Sequence, residues 1–134
     1  MSLEQVISNN LIVSIIIRKN YANEKDLEFF TKPDDFIQFG FMRRNKGHIV
    51  KKHFHNTYQR TINKTQEVIF LKKGSFIISF FNESFDFIEK KIISAGDIVL
   101  ILSQAHEIEM IEDCEFHEVK NGPFDEKKDK TYLT

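Results

Sequence analysis

The sequence has no tryptophan, one cysteine, two prolines and five glycines among 134 residues, and each shortage excludes a class of protein. A lone Cys114 cannot form an intrachain disulfide, so a disulfide-framed scaffold is ruled out. Its neighbours Asp113 and Glu115 disfavour a thiolate, and the residue reads as structural, not nucleophilic. So few prolines and glycines leave little room for long linkers. An excess of one charge is also missing: 19 basic residues stand against 20 acidic ones, a net charge of −1. No overall positive field exists for non-specific nucleic-acid binding, and the basic run Arg43, Arg44, Lys46, Lys51, Lys52 reads as a solvated strand end, with an anion contact as the alternative. The apolar run at residues 11–17 is too short to span a bilayer, and no basic-then-apolar leader is evident at the start. Nucleic acid and membrane are therefore not expected partners, and a cytoplasmic location is expected.

What is present is phenylalanine, fourteen residues of it, in short apolar segments punctuated by turn chemistry. Residues 11–18 are β-branched and apolar, as a strand buried on both faces would be. Strands are predicted at 27–31, 36–44, 48–55, 67–71, 75–81, 85–93, 98–102, 106–111 and 115–120. Lys72-Lys73-Gly74 is predicted to turn a hairpin between 67–71 and 75–81. Residues 56–65 read as a loop, and only the first ten residues suit a short helix. About ten strands at spacings near ten residues indicate an all-β sandwich or barrel. One domain over 1–134 is expected, with its core at about 11–124 and a charged tail at 125–134.

Four side chains suggest a metal centre: His53, His55, Glu67 and His106. On a strand, His53 and His55 would project from one face, their Cβ atoms roughly 6–7 Å apart. Glu67 and His106 each begin a predicted strand, so all four would sit at strand ends. Three imidazoles and a carboxylate suit Fe(II), Mn(II), Ni(II), Co(II) or Zn(II), and four protein ligands leave an octahedral ion two open positions. His48 and His117 belong to no such spacing.

The run Gly47-x5-His53-x-His55-x11-Glu67-x6-Gly74 resembles the first cupin motif, and Gly96-x9-His106 resembles the second. The segments around Thr65–Gly74, Gly96–Ile101 and Glu118–Phe124 are similar to small bacterial cupins found near surface-polysaccharide biosynthesis genes. The resemblance spans roughly residues 11–130. It implies a double-stranded β-helix, the cupin jelly-roll barrel, with a divalent metal on His53, His55, Glu67 and His106. The gap from His55 to Glu67 is longer than in the motif and puts Gln59 where the acid is expected. Either Glu67 or Gln59 could be the third ligand, and the count to Gly74 favours Glu67. The second motif lacks its Pro and Gly, and Met110 stands in place of Asn.

The resemblance implies an enzyme of small-molecule metabolism, a sugar or nucleotide-sugar isomerase or epimerase, with an Fe(II) oxygenase as a sibling. Glu109 or Tyr58 would move protons, and Arg60, Gln59 and Gln66 would contact substrate. A non-catalytic sugar-binding module is the alternative, and an empty barrel a third reading. A homodimer is expected, as cupins commonly dimerise.

Overall fold

The computed structural model describes residues 2–132. Strand β1 (Leu3–Ser8) occupies the stretch expected to be helical. Asn9 and Asn10 have φ of 51° and 62°, the paired left-handed conformation of a two-residue hairpin turn, and asparagine tolerates it. That turn returns the chain as β2 (Leu11–Ile17), antiparallel to β1 with Ser8 opposite Leu11. The pair becomes the edge of a five-stranded sheet, where β2 meets β8 (Ile98–Ile101), then β5 (Glu67–Lys73), then β10 (Glu115–Lys120). A three-stranded sheet orders β7 (Phe87–Ser94), β6 (Ser75–Phe81) and β9 (Ala105–Met110), and β3 (Leu27–Phe29) pairs with β4 (Gly40–Met42) alone. All pairings are antiparallel, so the chain is all-β, and the sheets do not close into one continuous barrel. Among the described residues no helix is long and apolar enough to cross a membrane.

Alternation builds two cores. Ile69 and Leu71 of β5, Val99 and Ile101 of β8, and Phe76, Ile78 and Phe80 of β6 point into one buried cluster between the five- and three-stranded sheets. Val68 and Leu100 point the other way, under Phe30, Ile37 and Phe39 of the segment around β3 and β4. The predicted hairpin across Gly74 is not one: β5 and β6 go to different sheets, and the chain changes layer at that residue. Gly74 has φ of +88°, and a Cβ there would strike the Asp113 carbonyl oxygen.

Other departures have local causes. Residues 36–39 are not strand because the Gln66 amide oxygen accepts the Phe36 and Ile37 N–H groups, at 2.7 and 3.0 Å, that a ladder would use. β7 begins at Phe87 because Phe85 turns at φ of 69°. The tail carries a four-residue helix, α1 (Glu126–Asp129), capped by the Asp125 carboxylate. Cys114 lies just before β10, partly buried, with Sγ 3.2 Å from the Ser75 carbonyl oxygen. Residues 48–55, predicted as strand, form none and are exposed throughout.

A charged seam ties β1 to β7. Arg18 donates to Glu4 at 2.7 Å, to Asp97 at 3.0 Å and to the Ile92 carbonyl at 2.6 Å, while Lys91 reaches Glu4 at 3.0 Å. The Arg18 hydrogen bond, helped by Lys91, holds the Glu4 carboxyl at about 2 against the opposition of burial. A depressed carboxylate stabilises the fold fully above its ordinary value of 4.5, and the gain is lost as pH falls toward 2. Glu4→Gln is therefore expected to cost on the order of 1–2 kcal/mol at pH 7 and to flatten the stability loss between pH 4.5 and 2, as read by urea titrations across that range.

Candidate functional site

The inner faces of the two sheets meet in charge at one end of the sandwich. On β5, Glu67 shares its face with Ile69 and Leu71, so the carboxylate points between the sheets, and the residue is only 8% exposed. On β9, His106 stands opposite the buried Phe80 of β6 and so turns to the same interior from the other sheet. The His106 Nε2 and the Glu67 Oε1 are 2.9 Å apart across the gap.

β10 adds the next layer. Its pairing puts Phe116 opposite Leu71, Glu118 opposite Ile69 and Lys120 opposite Glu67, so Glu118 and Lys120 share the inward face. Glu118 hydrogen-bonds Glu67, and the titrations of the two carboxyls are linked. Burial works to raise Glu67, but the hydrogen bonds to His106 and Glu118 outweigh it and hold that carboxylate down, at about 2. Glu118, exposed to the cavity but hydrogen-bonded beside that negative charge, is pushed up to about 6.

These groups line a cavity of about 760 Å³, a size suited to a small organic molecule. Phe81, Phe85, Ile101 and Ile108 give it apolar wall, and residues 129–132 run along its rim, where Asp129 meets Lys120 at 3.4 Å. The Ser103 hydroxyl in the same lining is buried and has no hydrogen-bond partner.

Of the expected metal ligands, the structure brings Glu67 and His106 together. Their 2.9 Å separation fits adjacent positions on one octahedral ion, where ligands at about 2.1 Å lie about 3.0 Å apart. Glu67, not Gln59, is the acid that faces His106. His53 and His55 lie close to one another, ring centroids 5.4 Å apart, but on the exposed segment between β4 and β5, with His53 Nδ1 2.7 Å from the Lys51 carbonyl. Among the described residues no cluster of three or more His, Cys, Asp or Glu is arranged to hold a metal ion.

The expected catalytic and substrate residues fare differently. Glu109 pairs with Ile77, on the face of β9 opposite to His106, and does not line the cavity. Tyr58, Gln59 and Arg60 stay on the exposed segment, the Arg60 guanidinium stacked 3.7 Å over the Tyr58 ring. Gln66 is fully buried and already committed: besides the Phe36 and Ile37 amides it binds Asp35 at 3.0 Å and the Leu102 carbonyl at 3.2 Å. It clamps the fold at the cavity's edge and has no donor left for a substrate. Glu118, Lys120 and Ser103 escaped sequence reasoning. A period of two counted back along β10 from Lys120 would have found Glu118. Comparison with protein-family models, with curated proteins and with solved structures finds no match to this chain.

Proposed function

We propose that this chain is a metal-dependent isomerase or epimerase of a sugar or nucleotide sugar, built on a double-stranded β-helix of the cupin kind. Two antiparallel sheets that share a core and exchange the chain at Gly74 support that fold. One observation carries the function: Glu67 and His106 face each other at 2.9 Å across the mouth of the cavity, with Glu118 hydrogen-bonded beside them. The first two would be the metal pair, with His53 and His55, on the exposed segment, as the remaining ligands. A divalent ion held there would supply a Lewis acid to polarise a substrate carbonyl.

The protein's own groups do the rest. Glu118 gives and takes the proton at the neighbouring carbon or hydroxyl, since the ionised Glu67 beside it raises its proton affinity. Lys120 orients the polar end of the substrate, and Phe81 and Phe85 exclude water along the wall.

The test is metal loading with Fe(II), Mn(II), Ni(II), Co(II) and Zn(II), followed by plasma mass spectrometry. Near-stoichiometric metal is expected, with affinity lowered about ten- to hundredfold or more in His106→Ala and Glu67→Gln. A wild type that takes up none of the five ions overturns the reading. Metal with oxygen uptake would select the oxygenase instead, and ligand-induced thermal shifts without turnover a binding module.

A further inference from the structure

The segment between β4 and β5 is the part of the chain that its own fold does not use. Every residue from 42 to 65 is exposed, and none from 43 to 65 belongs to a strand. Apolar side chains stand out along it, with Ile49 79%, Val50 65% and Phe54 84% exposed. Among the described residues, 49–63 make no backbone–backbone hydrogen bond. Large apolar side chains and unpaired backbone in one run mark an interaction surface.

Charge indicates which chain. Residues 43–65 hold seven of the 19 Lys and Arg and no Asp or Glu, leaving the rest of the chain 12 basic against 20 acidic residues. Those acids are dense beside β9: residues 107–115 carry Glu107, Glu109, Glu112, Asp113 and Glu115 and no Lys or Arg. β9 is also an outer strand of its sheet, with β6 on one side and its other ladder edge unpaired. A basic apolar segment without partners and an acidic open edge thus occur in the same chain. Two such surfaces are able to close reciprocally as a two-fold pair, each copy giving one and receiving the other.

We propose that residues 43–65 are an exchange arm that adds to the open β9 edge of a second copy of this chain, each copy giving one arm and receiving one. Two reciprocal arms supply about the 20–30 residues per side of a standard interface. Because His106 lies on β9, the arriving arm carries the histidines of one copy toward the Glu67–His106 pair of the other. This delivery rests on the proposed metal reading; the exchange itself does not.

Sedimentation of the full chain is expected to give a dimer that weakens as salt rises from about 0.05 to about 0.5 M, since the contact is charged. Phe54→Asp and Ile49→Asp are expected to shift it to monomer while the body still folds, as read by an unchanged circular dichroism spectrum, because both side chains are exposed in the single chain. A monomeric wild type, or a dimer that both substitutions leave intact, overturns the exchange and points to an arm serving its own chain or a different protein. Delivery is read by mixing the double variant His53→Ala/His55→Ala with His106→Ala under mild dissociation and measuring bound Co(II). Shared sites recover about a quarter of wild-type Co(II), since half the dimers are mixed and each holds one intact site. No recovery with a wild type that binds Co(II) means sites built within one chain, and overturns delivery. A wild-type dimer that takes no Co(II) overturns the metal reading alone and leaves the mass and salt results to judge the arm.

Discussion

Glu118→Gln is expected to slow substrate-dependent exchange of carbon-bound hydrogen with D2O by about 10²- to 10⁴-fold, the range for removing a positioned acid or base. The geometry gives the reason. Glu118 stands on the inward face of β10, opposite Ile69, hydrogen-bonded to a Glu67 carboxylate that His106 holds ionised. Glutamine keeps the shape and a hydrogen bond to Glu67 but can neither receive nor release a proton. On the proposed reading the substitution should leave KM within a few-fold, because there binding is assigned to Lys120 and the apolar wall. Deuterium incorporation followed by NMR over a panel of sugars and nucleotide sugars makes the measurement. Exchange in the variant within about threefold of wild type would remove Glu118 from the proton-transfer role.

Phe80→Ala is expected to lower the unfolding free energy by about 3–5 kcal/mol, a large part of the roughly 5–15 kcal/mol typical of a domain. Phe80 is fully buried in the cluster between the two sheets, among Ile69, Ile78 and Val99. Its loss removes the ring's transfer free energy and leaves a cavity that neighbouring strands, fixed by their ladders, fill only in part. It also lies opposite His106 in the β6–β9 register, so the cavity opens beneath the imidazole. A urea midpoint shifted down at constant slope is the expected result. A loss under about 1 kcal/mol would mean that the two sheets do not pack through this residue.

Most strands could be read from the sequence because their alternation is strong. Residues 75–81 and 115–120 form the strands predicted there, since period-two patterning needs no knowledge of the partner strand. Partners are another matter. The Gly74 turn looks like a hairpin in sequence, yet whether flanking strands pair or part depends on where β8 and β10 lie, and both beat β6 to the edges of β5. Residues 48–55 carry a strand's composition but have no ladder to join in one chain, and composition cannot register that. Gln66 looked available because it is polar and beside Glu67; only burial against Leu102 and the 35–37 turn commits its amide.

By itself the sequence determined that the chain is all-β, that it has no intrachain disulfide, and that Glu67 and His106 belong at strand ends. Those follow from local periodicity and from residue counts. Only the tertiary structure decided that Glu67 and His106 meet across two sheets, that Glu118 joins them and Glu109 does not, and that His53 and His55 stand apart on an exposed arm. Such pairings depend on register and layer order, which are set by burying both faces of β5 at once, and no stretch of sequence carries that information alone.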